Sequence, residues 1–166
     1  LLGPLVNPLQ PQAQVLGVAR ADLLDPMAGA LDQLGLDRAV VVHGAGGLDE
    51  ASLAGANELR MVEAGKPIAA RFVSPDDLGL AAAPLEALRG GDLADNQRIL
   101  ENVLKGEATP AQMDVVAFNT ALVLWVAGVE LDLKTAARRA SDTLRDGLPW
   151  QKLQDLQRAL SHGNGQ

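Results

Sequence analysis

Two adjacent carboxylates, Asp49 and Glu50, follow a glycine-rich bend in the stretch VVHGAGGLDEASL at residues 41–53. Neighbouring carboxylates offer hard oxygen ligands, and Mg²⁺ takes one or two of these together with substrate phosphates and water. Among 21 acidic residues in 166 positions, about two or three adjacent pairs arise by chance. Two occur, Asp49-Glu50 and Asp76-Asp77, so adjacency alone carries no weight. Asp49-Glu50 stands out by position, on a loop just past an apolar run, where side chains can turn into a crevice. The competing reading is a solvated turn or a helix cap. Asp76-Asp77 follows Pro75 and reads as a helix start.

The bend itself, GAGG at residues 44–47, can form a backbone nest for an anion or simply a tight strand exit. It fails the dinucleotide-binding fingerprint, whose third glycine would fall at Asp49, and it lacks the Gly-Lys-Ser/Thr ending of a P-loop. His43, at the end of the apolar run, is either a hydrogen-bonded structural residue or a base; His162 lies in the tail. LRGGD at residues 88–92 reads as a turn plus N-cap, with anion binding at the helix start as the alternative. Asn119 sits in an apolar helical stretch, where its amide must find a partner, a neighbouring loop backbone. There is no cysteine, and Ser52, Ser74, Ser141 and Ser161 have no histidine nearby in sequence. Any chemistry here is electrostatic, acting on a metal and a phosphate, rather than covalent.

Those side chains need a scaffold. Gln14 to Val18 predicts a short strand, and residues 21–34 a helix ended by Gly35, with Asp25 capping and Pro26 as its first regular residue. Residues 38–44, RAVVVHG, predict a strand buried on both faces. Strand, helix, strand with short connections is a right-handed βαβ unit. Residues 58–62 and 68–73 flank a turn at Gly65 and predict a hairpin. From Pro84 onward helices dominate. Asp92 caps one reaching Gly106, with Leu93, Ile99, Leu100, Val103 and Leu104 on its buried side. TPAQ at residues 109–112 is a capping box that opens a helix stopped at Gly128. Residues 132–146 form another helix ended by Gly147. A last one spans residues 149–160, striped by Trp150, Leu153, Leu156 and Leu160. The expected fold is α/β: a mostly parallel sheet covered by a C-terminal helical layer over residues 1–160, then a frayed tail at 161–166. Ligands of such sheets gather at the carboxyl ends of the strands, where residues 44–50 lie.

Composition excludes several functions. Hydrophobic residues at 48% and charged residues at 21% describe a globular domain. A formal charge of −7 without a Lys/Arg cluster speaks against nucleic acid and anionic membranes as partners. Phe72, Phe118, Trp125 and Trp150 are too few for a base-stacking platform. The absence of cysteine rules out disulfides and thiolate zinc sites and suits a reducing, cytoplasmic location. The apolar run at residues 115–127 contains Asn119 and Thr120 and is short of the ~20 residues a spanning helix needs. The chain opens at Leu1 in LLGPLVNP, which lacks the features of a signal peptide, and is expected to be a piece of something longer.

LLGPLVNP, then VVHGAGGLDE, then LRGGD followed by Asn96, with Asn119 after it, together resemble the C-terminal half of the anthranilate phosphoribosyltransferase family, of the nucleoside-phosphorylase-like class. The resemblance runs from Leu1 to about Leu160, and the first two motifs at this separation are its most specific part. It implies an enzyme that moves the phosphoribosyl group of phosphoribosyl pyrophosphate onto the amino group of anthranilate in tryptophan biosynthesis. It implies Mg²⁺ as cofactor, with Asp49 and Glu50 as metal ligands, and a homodimer in the full-length family. The family's glycine-rich pyrophosphate loop, its KHGN-type motif, its anthranilate-binding arginine and its N-terminal helical domain match nothing in these residues. The 166-residue chain alone is therefore expected to be inactive and prone to associate. The alternative is a catalytically inactive fragment, or a family-like protein that binds nucleic acid or another ligand.

Overall fold

The computed structural model describes residues 3–163. Strand β1, Ala13–Gly17, leads through a 3₁₀ turn at Ala21–Leu23 into helix α1, Leu24–Gln33, and then into β2, Arg38–His43. β1 and β2 are parallel, with Ala13 beside Arg38 and Gly17 beside Val42, so the expected βαβ unit is present. β3, Asn57–Glu63, runs antiparallel to β2, and β4, Ala69–Val73, closes a hairpin on β3 around Gly65. The sheet order is β1-β2-β3-β4.

The α/β class, the βαβ unit and the hairpin stand, but the sheet is mixed rather than mostly parallel. The connection from β2 to β3 contains no helix. Residues 44–56 instead bend back at the end of β2 and are anchored beside the start of β3, so β3 sets out from that same end and pairs antiparallel.

Alternation along β2 divides the core between two faces. Val40 and Val42 share one cluster with Leu59, Met61, Phe118, Ala121 and Leu122. Ala39 and Val41 share the other with Val62 and Leu24, Ala28 and Leu31 of α1. A strand covered on both sides has no solvent face to keep polar, which is why β2 reads as a continuous apolar run.

The second half of the chain is the helical layer: α2, Leu93–Lys105; α3, Pro110–Val126; α4, Leu133–Arg145; and α5, Leu148–Gly163. α3 starts at the capping box, where the Thr109 hydroxyl accepts from the Gln112 N–H and the Gln112 side chain accepts from the Thr109 N–H. It stops at Gly128, whose φ of 69° opens the left-handed region that a Cβ disfavours. Asp92 caps α2 by accepting from the Asp95 N–H, and Asp132 caps α4 by accepting from Thr135. The Ser74–Asp77 pair caps the short turn Pro75–Leu78, so Asp76-Asp77 is a turn start. Residues 164–166 of the expected tail lie outside the described residues.

Three local expectations need correction. Asp25 does not cap α1: Leu23 occupies that position, and the Asp25 carboxylate instead accepts from Arg60 of β3 at 2.5 Å. Leu93 and Leu100 of α2 are 85% and 54% exposed, and only Val103 of its expected apolar side is buried. Along α5, Trp150 and Leu153 are partly covered, whereas Leu156 and Leu160 are exposed. Helical spacing aligns apolar residues on one face, and on α2 and α5 that face extends past the residues packed against it.

Candidate functional site

The carboxyl ends of β1 and β2 are built to receive a chain segment. Gly17 ends β1 on the face toward α3, and a Cβ placed on it would lie 1.5 Å from the Asp49 carbonyl oxygen. Gly44, just past β2, is in the same situation, with the Glu50 carbonyl oxygen 2.0 Å from where a Cβ would stand. Neither glycine has positive φ, so both are required by space rather than by backbone conformation. The Asp49-Glu50 segment thus lies directly on the floor formed by two strand ends.

The bend that returns the chain onto this floor is short and closed. The Gly44 N–H donates to the Leu48 carbonyl at 2.8 Å, and the Gly47 N–H to the Gly44 carbonyl at 3.0 Å. Gly46 and Gly47 take φ of 86° and 85°, and the Leu85 side chain packs on Gly46 from above. GAGG is therefore a tight strand exit. Its N–H groups at Gly44 and Gly47 point back into the bend, which removes them from any anion nest.

Past the acid pair, the chain is anchored in the core. Ala51 and Leu53 are fully buried, and so is the polar residue Ser52. Asn119 of α3 accepts the Ala51 N–H at 2.9 Å and donates to the Ala51 carbonyl at 2.9 Å, the loop-backbone partner expected for it. Asn57, fully buried at the start of β3, accepts from the Ser52 N–H at 2.7 Å and from the Ala45 N–H at 3.2 Å. Its Nδ2 donates to the carbonyls of Ser52 and Val73, each at 3.0 Å. Asn57 and Gly17 carry no motif signal; an asparagine heading a strand in which charged residues are interleaved with Leu59, Met61 and Val62 is the one hint the sequence offers.

His43 has the structural role. Its Nδ1 lies 2.8 Å from the Val18 carbonyl, which can only accept, so Nδ1 carries the proton. This bond continues the β1–β2 ladder one step beyond the Val18 N–H to Val42 carbonyl bond at 2.9 Å. LRGGD is likewise occupied locally, the Asn96 side chain exchanging two bonds of 3.1 Å with the Gly91 backbone.

Asp49 and Glu50 themselves are exposed. Neither is held in an ion pair or side-chain hydrogen bond among the described residues. Glu50 borders a depression of about 240 Å³ walled by Val115, Val116, Asn119, Thr120 and Val123 of α3. Among the described residues no three His, Cys, Asp or Glu side chains are grouped so as to hold a metal ion by themselves. What the chain presents is an open pair of hard donors at a strand-end crevice.

A model of the glycosyl transferase family, a/b domain, matches residues 1–149. The chain belongs to that family. Within it, the chain is 98% identical over 166 residues to an anthranilate phosphoribosyltransferase of Synechococcus sp. (strain CC9902), covering 100% of this chain and 47% of the relative. It is 67% identical over 161 residues to that of Parasynechococcus marenigrum (strain WH8102), covering 97% of this chain and 46% of the relative. The crystal structure of anthranilate phosphoribosyltransferase from Thermus thermophilus superposes with a TM-score of 0.82 at 40% identity, over 93% of this chain and 45% of that one. The Saccharomyces cerevisiae enzyme in complex with PRPP and Mg superposes with a TM-score of 0.79 at 25% identity, over 92% and 44%. The chain thus spans about half the length of the curated relatives it matches. No helix among its described residues is long and apolar enough to cross a membrane.

Proposed function

We propose that this glycosyl transferase family chain forms the metal-carboxylate part of an enzyme transferring the phosphoribosyl group of phosphoribosyl pyrophosphate to the amino group of anthranilate. The products are N-(5-phosphoribosyl)anthranilate and pyrophosphate, in tryptophan biosynthesis, by a cytoplasmic homodimer when the full length of the relatives is present. The observation that carries the reading is the acid pair, unpaired and backbone-locked at the strand ends, in a chain 98% identical to an anthranilate phosphoribosyltransferase.

The donor set fits magnesium. Mg²⁺ takes one or two carboxylates and completes its shell with water and phosphate oxygens, so an open pair serves where a cage would not. Asp49 and Glu50 would hold it. When bound, it neutralises the charge that develops on departing pyrophosphate. The chain's own residues project two carboxylates from a fixed stretch of backbone, which suits a displacement driven by electrostatic stabilisation. Gly17 and Gly44 admit the acid-bearing backbone to the strand ends, and His43 ties those ends together.

The test grafts residues 1–166 into the corresponding half of the Synechococcus relative and compares the graft with its Asp49→Asn, Glu50→Gln double variant. Loss of charge stabilisation should lower kcat/KM by about 10²- to 10³-fold and raise the Mg²⁺ needed for half-maximal rate. An unchanged Mg²⁺ dependence overturns the reading.

A further inference from the structure

Among the described residues three asparagines each grip one residue through both its N–H and its C=O: Asn57 on Ser52, Asn119 on Ala51, and Asn96 on Gly91. The first two act on consecutive residues, and those residues directly follow Glu50. We infer that Asn57 and Asn119 are positioning residues for the acid pair, fixing the backbone from which Asp49 and Glu50 project and thereby setting the site's affinity for a divalent cation. This rests on the magnesium reading given above.

Each peptide plane through the acid pair is held separately. The Asp49 carbonyl fills the space above Gly17. The next plane carries the Glu50 carbonyl, seated over Gly44, and the Ala51 N–H, which donates to Asn119 Oδ1 at 2.9 Å. The plane after that is held from both sides. Its Ala51 carbonyl accepts from Asn119 Nδ2 at 2.9 Å, and its Ser52 N–H donates to Asn57 Oδ1 at 2.7 Å. With the planes fixed, only the side-chain torsions of Asp49 and Glu50 remain for a cation to order. Less disorder is lost on binding, which is how preorganisation raises affinity.

The two clamps do different work. Asn57 closes the loop, because the same Oδ1 also accepts from Ala45, at 3.2 Å, where the bend begins. Asn119 closes nothing: beyond Ala51 it donates only to Val115 of its own helix, at 3.0 Å. Its bonds serve to orient the Ala51 peptides against α3. Asn119 is also less buried than Asn57, which makes it the variant to test.

Asn119→Ala and a core control, Val103→Ala on α2, are placed in the graft described above, together with the Asp49→Asn, Glu50→Gln double variant. Three quantities are read: the melting temperature, amide hydrogen exchange at Ala51 and Ser52, and the Mn²⁺ dissociation constant from paramagnetic relaxation in the presence of phosphoribosyl pyrophosphate. In Asn119→Ala the Ala51 and Ser52 amides should exchange at least tenfold faster, and Mn²⁺ should bind about tenfold more weakly. In Val103→Ala the melting temperature should fall while Mn²⁺ affinity stays within twofold. Mn²⁺ affinity unchanged in Asn119→Ala, or lowered equally in Val103→Ala, overturns this inference. Should the double carboxylate variant bind Mn²⁺ as well as the parent, the magnesium reading falls and takes this inference with it. A loss in that variant without one in Asn119→Ala overturns the positioning role alone.

Discussion

Gly17→Ala isolates the floor beneath the acid pair. Its Cβ would lie 1.5 Å from the Asp49 carbonyl oxygen and 2.5 Å from the carbonyl carbon. A close but tolerable C···O contact is ~3.3 Å, so strand and loop must separate by about 1.8 Å. Gly17 has ordinary backbone φ, and none of the cost is conformational. The atoms in conflict are backbone on both sides, and Ala51 just beyond is fully buried and clamped. Overpacking of this kind costs about 1–3 kcal/mol, or roughly 4–8 °C in melting temperature for the middle of that range. The functional effect should be larger, since a displacement of ~1 Å at a reacting centre can cost about a hundredfold in rate. Melting of the 166-residue chain by circular dichroism and kcat/KM of the graft at varied Mg²⁺ measure the two effects. A melting shift under a degree together with a Mg²⁺ dependence within twofold of the parent would refute the close-packed floor.

Other residues give independent checks. The Arg60 guanidinium, hydrogen-bonded to Asp25, holds that carboxyl below its usual range. The stabilisation is present above the unfolded value of ~3.9 and is lost as pH falls through and below it, so Asp25→Asn should flatten the decline in melting temperature under acid; equal slopes would contradict this. Thr109→Ala removes the hydroxyl half of the α3 capping box and should cost about 1 kcal/mol, read by denaturant midpoint at constant slope. In the 166-residue chain, Leu93→Ser, Leu156→Ser and Leu160→Ser together should leave the melting temperature unchanged while lowering the sedimenting mass at high concentration. A monomer before substitution would remove the reason for expecting association.

What the sequence made legible was local. The Thr109 capping box, the Gly128 stop and the Asp92 cap depend on residues within one helical turn of each other, and they are found as read. Asn119 could be anticipated as well, because a buried amide must be satisfied and few backbone groups in an apolar helix are free. Partners distant in the chain were not legible: Asp25 reads as a cap until β3 brings Arg60 alongside. The apolar spacing of Leu93 and Leu100 identifies a face but not what covers it. Asp49 and Glu50 were visible as a pair, whereas Gly17 reads as an unremarkable strand residue, since a close approach by another segment leaves no trace in its own neighbourhood. The mixed sheet was available in principle, from the lack of any helix between residues 44 and 56.

Because one oxygen, Asn57 Oδ1, receives the N–H of both Ala45 and Ser52, the segment between them is a ring of set circumference. Its tip can change residue type wherever glycine is not required by shape. Its length cannot change: one residue added or removed would rotate the acid pair off the two strand ends while leaving both anchors intact. Variation among relatives should therefore show substitutions within this ring and no insertions or deletions.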